Sequence, residues 1–172
     1  GYAPFNWFQS NDKNGAVMLQ NTAATKRTYA LKSYADYKAI ILENQLSGLL
    51  LKINDNEVWV KLIGTFNAYN LLAIYGTAIE LGLESLEVLR LLSELESVSG
   101  RFQFIVSVQN ITAIVDYAHT PDALDNVLNT INDVRTQNEQ LITVVGCGGN
   151  RDKAKRPIMG GIASEKSDKA SL

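Results

Sequence analysis

The densest chemistry in the chain lies in Asp116-Tyr117-Ala118-His119-Thr120-Pro121-Asp122. His119 is the only histidine. Near neutral pH an imidazole can position or polarise a ligand, and Asp116 can accept from a ribose hydroxyl or help hold a metal. A purely structural reading is equally open: His119 caps the helix that follows, and Asp116 satisfies turn amides.

A second candidate is the turn from Gly146 to Pro157, GCGGNRDKAKRP. Glycines after an apolar run let an anion approach the backbone, and a helix N-terminus beyond them favours negative charge. Arg151, Lys153, Lys155 and Arg156 add cations, and Arg151 suits a bidentate grip on a carboxylate. The spacing is neither the phosphate-loop nor the dinucleotide fingerprint. A basic surface loop is the plain alternative, but glycines after a strand and charges after glycines favour a site. The third candidate is Gly64-Thr65-Phe66-Asn67-Ala68-Tyr69-Asn70. Asn67 and Asn70 share a helical face, and their amides can read the edge of a base such as adenine; on the residues alone, helix capping leads. Arg101 follows a small, flexible stretch where a domain boundary is expected, and clefts between domains hold ligands; a surface ion pair is the simpler reading.

Several chemistries are excluded. One histidine and one cysteine cannot build a His/Cys zinc site. No G-x-S-x-G elbow supports a hydrolase, and Cys147 reads as a small residue in a tight turn. A net charge of -2 gives no basic field for nucleic acid. No apolar run approaches the ~20 residues that would predict membrane insertion. The single cysteine fits a reducing compartment, and no signal peptide is visible. The abrupt opening at Gly1 and the strand-like ending at Leu172 suggest a piece of something longer.

The elements that must position these residues can be read from periodicity. Residues 16–21 suit a short helix. Runs over 25–33, 39–43, 46–53 and 57–63 read as strands of an antiparallel sheet, with a tight hairpin at Asn54-Asp55-Asn56. Leu71, Ile74, Tyr75 and Ala78 then mark a helix that Gly82 stops. Ser85 is placed to cap a second helix with Val88, Leu91, Leu92 and Leu95 on one face. After Ser97-Val98-Ser99-Gly100, residues 102–108 and 112–115 form a hairpin. Leu124, Val127, Leu128, Ile131 and Val134 make a helical stripe, with Thr120 as N-cap, Pro121 at the first helical position and Asp122 in the first turn. Residues 141–145 read as a buried parallel strand, and Ile158, Met159, Ile162 and Ala163 as another helix. Strand, helix, strand, helix is an α/β unit.

Three motifs in this order, 64–70, 115–124 and 146–157, resemble the Mur ligase family of peptidoglycan synthesis. The second and third resemble the branch that adds the third amino acid to the UDP-N-acetylmuramoyl peptide. Ser99-Gly100-Arg101-Phe102 is similar to the start of that family's third domain, and Asn11-Asp12 to a short family segment. The resemblance covers nearly all of residues 10–172. It implies an α/β fold: residues 1–98 as the strand-rich second half of the central ATPase domain, and residues 99–172 as the first half of a Rossmann-like C-terminal domain. The implied activity is cytoplasmic, ATP-dependent amide formation through an acyl phosphate, with magnesium. The substrates would be UDP-N-acetylmuramoyl-L-alanyl-D-glutamate and diaminopimelate or lysine. By resemblance, Asn67 and Asn70 lie at the adenine, Arg101 and Asp116 contact nucleotide phosphate or ribose, and His119 sits near the reaction centre. Arg151, with Lys155 beside it, grips a carboxylate of the incoming amino acid. The family's phosphate loop, carbamylated lysine and metal ligands have no counterpart in this sequence, so the chain is expected to be inactive alone, with exposed sheet edges prone to self-association. Ala154 stands where the family often has glycine. A nucleotide- or anion-binding module retaining half a ligase fold is the competing reading.

Overall fold

A computed structural model describes residues 5–10, 12, 14–147 and 152–171. The chain divides into two compact units, residues 1–96 and 97–172.

The first unit is built on one mixed five-stranded sheet in the order β1 (Phe5–Gln9), β2 (Thr25–Ala30), β3 (Tyr37–Gln45), β4 (Gly48–Ile53), β5 (Asn56–Val60). β3, β4 and β5 form the expected antiparallel meander. Their turns are Leu46-Ser47 and Asn54-Asp55, with Asn54 at φ 54°. The all-antiparallel expectation fails on the other side, where β1, β2 and β3 run parallel. A parallel crossover normally needs a dozen or more residues. Here β2 and β3 overlap only at Tyr29↔Tyr37 and Ala30↔Lys38, so a short loop suffices. A side-chain clasp closes it: Asp36 Oδ2 accepts from the Thr28 amide at 2.8 Å and its hydroxyl at 2.6 Å, while Thr28 Oγ1 accepts from the Asp36 amide at 2.9 Å.

The inner face of this sheet follows the two-residue period of strands. Leu49, Leu51, Ile53, Val58 and Val60 point inward and are buried. They meet Ala68, Leu71, Leu72 and Tyr75 of α2 (Thr65–Glu80) and Val88, Leu89 and Leu92 of α3 (Ser85–Glu94). Gly82, at φ 89°, ends α2 as expected. Its amide donates to Ile79 at 2.9 Å and the Leu83 amide to Ala78 at 3.1 Å, the two-bond Schellman closure. The expected cap of α3 is corrected by one residue. Glu84 is the N-cap and accepts from the Glu87 amide, whereas Ser85 shares a hydrogen bond with Tyr75 Oη at 2.8 Å. Leu91 and Leu95 lie outside the buried stripe, which uses Leu89 instead.

Arg27, Glu80 and Tyr37 tie the parallel half of this sheet to α2. Arg27 donates to Glu80, and Tyr37 Oη donates to Glu80 Oε1 at 2.9 Å. The Arg27 hydrogen bond, foremost, holds the Glu80 carboxyl below the usual range, while burial, reinforced by Glu80, pushes the Tyr37 hydroxyl up to about 12. A carboxyl depressed on folding contributes stability that is present above its unfolded value, near ~4.3, and lost as pH falls through the folded value. Wild type is therefore expected to exceed Glu80→Gln in urea midpoint at pH 7, with the gap closing as the pH drops below about 4. A gap independent of pH would contradict this linkage.

The second unit carries two separate two-stranded sheets. β6 (Gln103–Val106) and β7 (Thr112–Val115) form the expected antiparallel hairpin. α4 (Pro121–Val134) buries Leu124, Leu128 and Ile131. β8 (Ile142–Val144) pairs in parallel with β9 (Lys169–Ser171), and α5 (Lys155–Lys166) connects them. Among the described residues β8 has no other partner strand, so Ile142 and Val144 stay exposed, at 60% and 81%, rather than buried as a central strand would be. A cavity of about 510 Å³ opens between β7, α4 and β8. Helices α4 and α5 are bound by Lys166 Nζ to Asp125 at 2.6 Å and by Asn132 Nδ2 to the Lys166 carbonyl at 3.0 Å.

Candidate functional site

In the first unit, Asn67 and Asn70 lie in the opening turns of α2, behind the N-cap Gly64. Asn67 Nδ2 donates to the Ile63 carbonyl at 2.8 Å, and its Oδ1 accepts from Asn70 Nδ2 at 3.5 Å. Asn67 is therefore not the N-cap that the capping reading expects: Gly64 takes that position, and Asn67 instead ties the helix start to the stretch after β5 through the Ile63 carbonyl. Asn70 is the exposed member of the pair.

In the second unit, the sequence's central turn is assembled from two strands and two helices. The β6–β7 pairing ends at Gln103 opposite Val115, and two contacts beyond it hold residues 101–102 near residues 116–117. The Phe102 amide donates to Asp116 Oδ2 at 2.8 Å. Phe102 has φ 45°, an uncommon conformation for a bulky residue, with its side chain buried at 3% exposure. Asp116 therefore does satisfy a turn amide. Next to this clamp, the Arg101 guanidinium lies over the Tyr117 ring, 5.4 Å from its centroid. The other neighbour of that ring is the imidazole of His119, with centroids 5.3 Å apart.

His119 does not cap the helix. Thr120 does, its Oγ1 accepting from the Ala123 amide at 3.2 Å, with Pro121 at the first helical position and Asp122 in the first turn. His119 Nδ1 lies 3.1 Å from the Tyr117 carbonyl. A carbonyl can only accept, so a hydrogen bond here needs the proton on Nδ1. Lys155, in the first turn of α5, donates from Nζ to the His119 carbonyl at 2.9 Å.

Arg101, Asp116, His119 and Lys155 thus converge around one turn. Arg151, with Gly148, Gly149 and Asn150, lies outside the described residues. At Gly146 an added Cβ would meet no atom within 4 Å, so the backbone there faces open space. Sequence reasoning passed over Tyr117 and Phe102 as individual residues. The signal was present for Tyr117, an aromatic flanked by Asp116 and His119; nothing local announces the left-handed Phe102. Among the described residues no three His, Cys, Asp or Glu side chains converge as metal ligands, so no step through magnesium is assigned to them.

The described residues thus form two units of mixed helix and strand, the second with a strand-turn-helix bearing Asp and His and a cationic helix start beside it. Comparison with known proteins makes this specific. Residues 100–172 belong to the Mur ligase family, matching the family described as Mur ligase, glutamate ligase domain. The UDP-N-acetylmuramoyl-L-alanyl-D-glutamate–2,6-diaminopimelate ligase of Parabacteroides distasonis is 57% identical over 163 residues, 95% of this chain and 34% of that protein. Its counterpart in Bacillus velezensis is 40% identical over 92% of this chain. A solved structure of a ligase of the same name aligns with a TM-score of 0.66 and 31% identity over 96% of the chain. The UDP-N-acetylmuramate–alanine ligase of Thermotoga maritima shares the fold, with a TM-score of 0.73 at 23% identity. The chain spans about a third of the length of the curated relatives it matches, 34% in the first of them.

Proposed function

We propose that this chain forms part of an ATP-dependent ligase that joins diaminopimelate to UDP-N-acetylmuramoyl-L-alanyl-D-glutamate in cytoplasmic peptidoglycan synthesis. What supports this most is 57% identity across 95% of the chain to a protein of that name. In this reading residues 1–98 supply the end of the central ATP-binding domain and residues 99–172 the start of the amino-acid-binding domain. Asn70, with Asn67 behind it, reads the adenine. Arg101 and Asp116 engage phosphate or ribose, Asp116 with one carboxylate oxygen already on the Phe102 amide. His119 offers Nε2 toward the reacting groups, oriented by its Nδ1 contact. Arg151 grips a carboxylate of diaminopimelate. Lys155, which holds the His119 carbonyl, links that loop to the turn. Magnesium belongs with ligands supplied from outside the described residues. No helix among them is long and apolar enough to cross a membrane.

The test is an assay of the full-length enzyme that carries this segment. Phosphate release is expected only with both the muramoyl dipeptide and diaminopimelate present. Arg151→Ala is expected to raise the KM for diaminopimelate about tenfold or more, as loss of a charge-assisted bidentate contact does, with a smaller change in KM for ATP. An unchanged KM for diaminopimelate removes Arg151 from the role; no ligation with diaminopimelate overturns the reading. The 172-residue chain alone is expected to show no micromolar ATP binding in calorimetry, because the family's phosphate loop is not in it. Self-association of the isolated chain through its open sheet edges is expected to grow with concentration.

A further inference from the structure

We propose that Tyr117 is a positioning residue that couples Arg101 to His119 through its ring, so that the nucleotide-side cation and the imidazole are set as one array. Three observations carry this. Arg101 and Tyr117 lie two residues beyond the last β6–β7 pair, Gln103 and Val115, and the guanidinium sits over the ring at 5.4 Å. The same ring meets the imidazole at 5.3 Å, and Nδ1 of that imidazole lies 3.1 Å from the Tyr117 carbonyl. One residue inward, Phe102 and Asp116 lock the two chain segments together by a buried side chain and a 2.8 Å hydrogen bond. That lock fixes the spacing at which the ring can touch both neighbours. Tyr117 is itself 65% exposed, and its hydroxyl makes no hydrogen bond among the described residues. Core packing and a hydroxyl partner therefore do not account for its place, whereas a ring in contact with both a cation and an imidazole does. Lys155 also holds this turn, donating from Nζ to the His119 carbonyl at 2.9 Å.

The chain offers a direct readout, because His119 is its only histidine: the imidazole C–H signals in a proton NMR spectrum of the 172-residue chain belong to one residue. Tyr117→Leu is expected to move those signals by removing the ring current, and Tyr117→Phe to leave them near their wild-type positions. Arg101→Ala is expected to shift them in the wild-type background and to have no effect in the Tyr117→Leu background. An equal shift from Arg101→Ala in both backgrounds overturns the coupling, as does a His119 signal indifferent to Tyr117→Leu.

The kinetic consequence rests on the ligase reading above. In the full-length enzyme, Tyr117→Leu is expected to raise the KM for ATP about threefold, the scale of an exposed cation–π contact. Tyr117→Phe should restore the wild-type value, and adding Arg101→Ala to Tyr117→Leu should cost no more than Arg101→Ala alone. Damage from Tyr117→Phe equal to that from Tyr117→Leu would mean that the hydroxyl, not the ring, does the work, and overturns the proposal. Intact NMR coupling in a protein without ATP-dependent ligation would sink the ligase reading and leave the coupling standing.

Discussion

Alanine at Tyr75 is expected to cost the first unit about 3–5 kcal/mol, the range for truncating a buried aromatic. Tyr75 is 1% exposed and among the largest fully buried side chains. Its ring meets Tyr37 edge-on at 6.2 Å. Its hydroxyl accepts from Asn54 Nδ2 at 3.1 Å and shares a hydrogen bond with Ser85 at 2.8 Å. One side chain thereby joins the β4–β5 turn, the middle of α2 and the start of α3. Truncation opens a cavity and removes two hydrogen bonds at once. Tyr75→Phe separates the two effects: it keeps the ring and should cost only about 1–1.5 kcal/mol. The measurement is urea unfolding followed by tryptophan fluorescence, since Trp7 and Trp59 both lie in the first unit. Equal losses for Tyr75→Phe and Tyr75→Ala would show that the hydroxyl network, not packing, dominates.

Gly48→Ala is expected to be comparably severe, about 3 kcal/mol or more. Gly48 opens β4 at φ 144°, and a Cβ there would stand 2.1 Å from the Val60 carbonyl oxygen and 3.2 Å from Trp59 Nε1. The near atom is backbone, so β5 itself would have to move. Stiffening the unfolded chain returns at most about 1 kcal/mol. Gly82→Ala is the control: it too has positive φ, but no atom lies within 4 Å of its added Cβ. It should lose only about 1 kcal/mol, the cost of a side chain in a left-handed conformation. If Gly48→Ala unfolds no earlier than Gly82→Ala, β5 is more yielding than its geometry indicates.

What could be read from the sequence follows the range of the interactions. The start of α4 is written within four residues, Thr120 to Ala123, and matches its expectation. So does the stop of α2 at Gly82, where one residue supplies the conformation and its neighbours the hydrogen bonds. The Asn54-Asp55 hairpin is equally local. The parallel pairing of β2 with β3 is hidden because it depends on a two-residue overlap and on Thr28 and Asp36, eight positions apart, finding each other. The cap of α3 falls on Glu84, not Ser85, because Tyr75 in another helix claims the serine hydroxyl. The exposed β8 went unread because an apolar β-branched run says that a strand is suited to burial, not how many neighbours it has. At the turn, residue types pointed to His119 and Asp116 at once. The clamp on the left-handed Phe102 and the ring of Tyr117 between two partners are tertiary facts that no spacing announces.

The divided sheets of the second unit also determine what stability means for this chain. A two-stranded sheet on its own is marginal, and among the described residues β6–β7 and β8–β9 share no ladder. The first unit has five strands on one continuous ladder with a helix-covered core. Cooperativity is then not expected to be uniform, the second unit being expected to open at lower free energy than the first. Unfolding will not be two-state, and no single melting temperature describes it. The tryptophans, all in one unit, and the lone histidine, in the other, will report different transitions of the same molecule.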